Sequence, residues 1–393
     1  MNRLMPLHPV RRSCALLATT FTLGSAWAAN GTQPGGYGIK NAMMGGTSIA
    51  LPLDASAAAN NPAGMAYVGE TTSLNLQVFN GQSSADYVLP GNSLSNTTTS
   101  PTPDGGGNWK LGNDLTIGFS FAAFGAGADY GQPALPVPGA ANANASLQVL
   151  DVIPALSWKP RPDFSLGIGI DLAIQRFNAQ GVIVPTPGGP AALPSHGTQT
   201  AFGYGARLGA LWQATPELWF GANIKSLTRM SSLSGYRNDL LAYSDGRIDL
   251  PAQGGVGVSW RPAPGVTLAA DWLRIAWSGV KVMQDPNAFY WQDQSVLRGG
   301  ISWDINATWT VRAGLSGNQG QVPASNLAAN LLTPAINSRA YTAGVSMRWD
   351  ARNEFSLGYE LNPNTTMTGT GASTGTTLSS KVQFLMLGFQ HNF

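Results

Sequence analysis

The chain has 393 residues, 43% of them hydrophobic and only 11% charged, with a formal net charge of +2. That balance excludes the clustered basic face of a nucleic-acid binder. No 18-residue apolar run follows the N-terminal segment, which excludes a helical membrane span, and the 48 glycines show no three-residue period.

In chain order, Arg3, Arg11 and Arg12 precede an apolar stretch from Cys14 to Leu23, and Ala26-Trp27-Ala28 supplies a small-x-small cleavage pattern. Residues 1–28 therefore read as a signal peptide cleaved near Ala28. Cys14 is the one cysteine and would leave with it. Residues 29–70 are rich in Gly, Ala and Ser, lack period-two alternation, and are too apolar for a solvated tail. A first strand is predicted at Thr71–Phe79, then a Ser/Thr/Asn-rich loop to about Asn108. A second strand is placed near Trp109–Leu111 and a third at Leu115–Phe124.

From Leu147 the pattern is regular. Five times a Trp is followed, six positions later, by the apolar residue that opens a new alternating run: Trp158/Phe164, Trp212/Leu218, Trp260/Val266, Trp303/Trp309 and Trp349/Phe355. A fixed short gap between strand end and strand start means a tight turn on one side of a sheet. Aromatics repeated there suggest a membrane–water interface. Within the runs, Phe164, Leu166, Ile168, Ile170, Leu172 and Ile174 share one face, and Ser165, Gly167, Gly169, Asp171, Ala173 and Gln175 share the other. Strand-body charges fall on the polar face: Asp151, Asp171, Arg207, Lys225, Asp271, Arg298, Arg312, Arg348 and Glu360. A charge on a lipid face near the midplane costs roughly 2–4 kcal/mol, so the polar face reads as a lumen. Long outer loops are expected near 178–200, 228–247, 281–294, 317–339 and 362–381. A soluble propeller, with a similar repeat length, would need four short strands per unit where only two long runs are found.

The fold expected is all-β: a transmembrane antiparallel barrel of about 14 strands over residues 71–393, with residues 29–70 as a plug in its lumen. A barrel of that size encloses more space than its side chains fill, and small apolar residues would block the resulting pore. Leu385, Leu387 and Phe389 alternate towards Phe393, and Phe389 and Phe393 read as the assembly signal for the barrel assembly machinery, with His391 a mild departure. Enzyme chemistry is not expected. The mature chain has only His196 and His391, no cysteine and no phosphate-binding glycine loop, so no cofactor and no metal are expected. The lumen charges either pair with one another or leave one cation for a ligand carboxylate; the sequence leaves both open.

Tyr37-Gly38, Gly45-Gly46-Thr47, Asp54-Ala55-Ser56-Ala57 and above all Asn61-Pro62-Ala63-Gly64-Met65 resemble the N-terminal plug of the FadL/TodX family of outer-membrane transporters of hydrophobic compounds. The resemblance implies a hatch domain with an Asn-Pro-Ala motif (Asn61, Pro62, Ala63) inside a 14-stranded barrel. It also implies a monomer in outer-membrane lipid that takes up hydrophobic small molecules passively, long-chain fatty acids first and aromatic hydrocarbons as the alternative. A structural or adhesive barrel without transport is the competing class. The run Phe124-Gly125-Ala126-Gly127-Ala128-Asp129-Tyr130-Gly131, where alternation fails, resembles the kinked strand of that family's lateral opening, with Gly125, Gly127 and Gly131 as the candidate gate. A glycine-rich outer loop that starts early is the alternative. Apolar loop residues Val182, Ile183, Val184, Leu327, Leu331, Leu332 and Ile336 would either collect substrate or pack the loops together.

Overall fold

The computed structural model describes residues 31–393; the signal peptide expected at 1–28 lies outside them. Fourteen strands form a closed antiparallel barrel: β1 Thr71–Asp86, β2 Ser93–Lys110, β3 Leu115–Asp129, β4 Asn144–Arg161, β5 Phe164–Gln180, β6 Gln199–Gln213, β7 Leu218–Lys225, β8 Ala252–Ala263, β9 Val266–Ala276, β10 Gln294–Asp304, β11 Trp309–Asn318, β12 Arg339–Arg348, β13 Asn353–Thr368 and β14 Thr377–Asn392, and the two residues Arg229–Met230 add a short pairing to β6. Each pairs with its sequence neighbours, and β1 pairs with β14 from Thr71↔Asn392 to Asp86↔Thr377, which closes the barrel. Closure pairs the first strand with the last, as a sheet that stands in lipid requires, and it rules out a propeller.

The Trp repeat marks one rim. Arg161↔Phe164 and Ala263↔Val266 close two-residue links, the second with Gly265 at φ 75°. In the turn before β13, Asp350 accepts from Asn353 Nδ2 and from the backbone N–H groups of Arg352 and Asn353, which hold its carboxyl below the usual range. Trp158, Trp212, Trp260, Trp303, Trp309 and Trp349 are all exposed on the outer surface at this level. Above them Leu166, Ile168, Ile170, Leu172 and Ile174 are exposed, while the alternate Ser165, Asp171, Ala173 and Gln175 are buried. Exposed apolar and buried polar side chains invert the soluble rule, as a lipid-facing wall requires.

Several boundaries differ from expectation, for one physical reason. β2 begins at Ser93, sixteen residues before the predicted Trp109, and β1 runs on to Asp86. The loop expected at 362–381 shrinks to the few residues between Thr368 and Thr377. These strand ends are built of Ser, Thr and Asn (Thr97, Thr98, Thr99, Thr365, Thr366, Ser379 and Ser380). They carry no apolar alternation, yet ladder hydrogen bonds do not require one.

Candidate functional site

Residues 31–70 fold into short turns and one-turn helices, among them Ile39–Ala42, Ala57–Asn60 and Met65–Val68. Almost all are buried, and their polar contacts reach lumen-side residues of many strands. Asp104 on β2 accepts from Gly38 N–H at 3.1 Å. Asp271 on β9 accepts from Ser48 and Ile49 N–H at 2.7 and 3.1 Å. Thr342 on β12 accepts from Gly45 N–H, and Arg298 on β10 donates to Gly46 O at 3.1 Å. Lys40 pairs with Glu354 on β13 at 2.8 Å.

The Asn-Pro-Ala motif sits against β4, β5 and β6. Asn61 Nδ2 donates to Ile49 O at 2.7 Å and to Ala210 O of the wall at 3.1 Å, while its Oδ1 caps Ala63 N–H at 3.1 Å. Ala63 O accepts from both Ser157 and Ser165, at 3.1 and 2.8 Å. Close approach is possible because the facing wall position is Gly209: a Cβ there would run into Asn61 Oδ1. Asn61→Ala leaves the carbonyls of Ile49 and Ala210 without this donor, a loss of about 1–3 kcal/mol. The barrel is expected to stay heat-modifiable while residues 31–70 become faster to cleave in limited proteolysis.

The lumen charges fall into separate groups. Arg207 (β6) joins Asp171 (β5) at 2.6 Å through Nε and Asp151 (β4) at 3.1 Å, and its Nη1 donates to Ala59 O. Lys225 (β7) lies 3.8 Å from both carboxylates, and Tyr37 places its ring 5.7 Å from the Arg207 guanidinium. Arg298 and Asp271 are engaged with the N-terminal segment as above. Glu360 accepts from Asn362 at 2.8 Å, and Arg312 donates to Ser346 at 2.5 Å. Arg348 departs from expectation. It has the lumen parity but is exposed at the turn end, where it donates to Ala307 O at 3.0 Å. Asp104 gives no signal in the sequence, because its strand carries no apolar alternation. Besides Gly38 it accepts from Asn75 and Gln77, at 2.7 and 3.1 Å.

At the candidate gate, β3 is not broken. It stays in register with β4 to Asp129↔Asn144, and Gly125 lies so close to β4 that a Cβ would meet Leu147 O. The ladder with β2, by contrast, runs only from Lys110↔Thr116 to Asp104↔Ala122, although both strands continue. The discontinuity is thus between strands, not within one. Gly131, at φ 65°, belongs to the turn that follows β3. Thr102, Ala123, Phe124 and Gly125 line a lumen cavity here together with Pro34, Gly36 and Phe384.

A second, small cavity lies between the outer loops and the wall. Ala126, Gly127, Ala145, Leu147 and Phe177 form its wall side; Leu240, Leu241, Ile248, Val282, Met283 and Phe289 form its loop side. No charged side chain lines it. The loop residues singled out in the sequence do not line this cavity but belong to the apolar cluster around it: Leu327, Leu331 and Ile336 are buried in that cluster, and Val182, Ile183 and Leu332 pack against it. They pack loops. His196 meets Asp239 at 2.6 Å and stands edge-on to Tyr236, which ties the loop before β6 to the loop after β7.

The chain matches, over residues 15–388, the family described as outer membrane protein transport protein (OMPP1/FadL/TodX). It belongs to the FadL/TodX family. No curated protein matches it. Among solved structures, the Pseudomonas putida toluene transporter TodX superposes with TM-score 0.70 at 19% identity, covering 91% of this chain and 99% of that one. A Pseudomonas aeruginosa FadL homologue gives 0.71 at 16% identity, covering 93% and 100%. The Ralstonia pickettii toluene transporter TbuX gives 0.65 at 20%, covering 91% and 99%. These similarities share a fold. As a FadL/TodX-family barrel the protein is an outer-membrane transporter of hydrophobic compounds rather than an enzyme.

Proposed function

We propose that small, uncharged hydrophobic molecules enter through the outer loops, bind in the apolar cavity under Leu240, Leu241, Val282 and Met283, and leave sideways between β2 and β3. One observation carries this reading: the uncharged cavity ends on Ala126 and Gly127 of β3, next to Ala123–Gly125, where the β2–β3 ladder has stopped. A greasy solute that left downward would enter water, losing about 0.8 kcal/mol per methylene; the sideways step keeps it in apolar surroundings. Residues 31–70 act as the plug that blocks the downward path.

Fatty acids and aromatic hydrocarbons both fit this route, and the uncharged lining of the outer-loop cavity favours the uncharged class. A carboxylate entering that cavity would be buried with no charged partner in its lining, which is costly. The names of TodX and TbuX as toluene transporters point the same way.

The test compares uptake of radiolabelled toluene and oleate by cells with and without the protein. Toluene uptake is expected to depend on the protein more than oleate uptake does. Val282→Asp, which puts a carboxylate into the cavity, is expected to cut toluene uptake with barrel levels unchanged. Uptake of oleate alone would overturn the uncharged class, and full toluene uptake by Val282→Asp would remove the cavity from the route.

A further inference from the structure

We propose that Pro101 and Pro103 of β2 keep the wall unzipped beside β3 and so position the lateral opening. The consequence for transport rests on the sideways route above; the effect on the ladder does not. In an antiparallel strand each residue turns both its N–H and its C=O to one neighbour, and successive residues alternate. On β2 the odd-numbered residues turn towards β3, since Leu111 N–H donates to Leu115 O at 2.8 Å just past the strand. Even-numbered residues turn the other way, and Lys110 N–H goes to Glu70. Continuing the register beyond Asp104↔Ala122 sets Pro103 opposite Ala123 and Pro101 opposite Gly125. Both are positions where β2 must supply an N–H, and proline has none. Two consecutive hydrogen-bonded pairs are thereby crippled. On the other side nothing is lost: the β1–β2 ladder passes through Leu76↔Pro103 and Val78↔Pro101 without interruption.

The opening is bounded, which separates it from a frayed strand end. Above it the strands return within side-chain reach: Asp129 N–H donates to Asn96 Oδ1 at 3.4 Å, and Gln132 Nε2 donates to Ser93 O at 3.0 Å. Six or so residues of strand lie between these bonds and Asp104↔Ala122, a length of about 20 Å at the rise of a β-strand. Pro154 in β4 gives an internal comparison. It stands alone, and the β4–β5 ladder skips Ile153 and Pro154, then resumes between Val152↔Leu172 and Ala155↔Gly169. One proline costs a local pair. Two, spaced by a single residue, leave no good pair between them from which the ladder can re-form.

The experiment restores the donors with Pro101→Thr/Pro103→Thr in the full-length protein, reconstituted in lipid. Hydrogen exchange followed by mass spectrometry reads the amides of 97–104 and 122–128, and cells read toluene uptake. Protection of both segments is expected to rise several-fold and uptake to fall. Raised protection with undiminished uptake would uphold the role of the prolines and remove the sideways route. Unchanged protection in a heat-modifiable barrel would overturn the proposal. Should the double variant not assemble, Pro103→Thr alone, next to the last formed pair, is read by the same exchange measurement.

Discussion

Arg207→Ala is expected to destabilise the barrel by about 3–5 kcal/mol, the usual consequence of removing one partner from a buried ionic group. The side chain holds three acceptors from three directions: Asp171, Asp151 and the carbonyl of Ala59. Without it, two fully buried carboxylates stand together with only Lys225, 3.8 Å from each, to offset them. The same change severs the bond to the N-terminal segment just before Asn60, so that segment should loosen together with the wall. Urea unfolding in lipid vesicles, followed by tryptophan fluorescence, gives the size of the loss. Arg207→Lys keeps the charge but has no planar fork with which to bridge the acceptors, and an intermediate value is expected. An alanine variant within about 1 kcal/mol of the parent would mean that the cluster contributes no more than a solvent-screened surface pair.

How much of this was legible follows from what lipid and water each enforce. Wherever a strand crosses the hydrocarbon, its outer face must be apolar, so β1 and β3 to β14 could be located from alternation and from the Trp repeat. β2 could not, because Ser-Leu-Ser-Asn-Thr-Thr-Thr-Ser carries no apolar face and Pro101 and Pro103 read as loop residues. Those prolines leave the β1 side of the strand intact, since the β1–β2 ladder runs through Leu76↔Pro103 and Val78↔Pro101. Asp104 stands on the same segment and is illegible for the same reason. The lumen parity of Asp171, Arg207, Lys225, Asp271, Arg298, Arg312 and Glu360 was readable, yet their partners were not, since pairing across the lumen depends on strand stagger and on where residues 31–70 dock. Arg348 shows the limit of parity: it alternates correctly but lies at the turn, beyond the enclosed part of the barrel. The apolar cavity draws on three outer loops and three strands, and no local pattern foretells such an assembly.

A sideways passage between β2 and β3 can be closed chemically. Thr102 and Phe124 both face the lumen, both line the same small cavity, and lie opposite one another when the β2–β3 register is continued. Thr102→Cys/Phe124→Cys in this chain, whose only native cysteine lies in the expected signal peptide, would carry one thiol on each side of the opening. A short bifunctional thiol reagent applied to intact cells should join them, and a reductively cleavable version should release them. Toluene uptake is predicted to fall, on cross-linking, to that of cells lacking the protein, and to return on cleavage while heat-modifiability stays unchanged. Uptake that continues at the parent rate through a fully cross-linked barrel would contradict the sideways route.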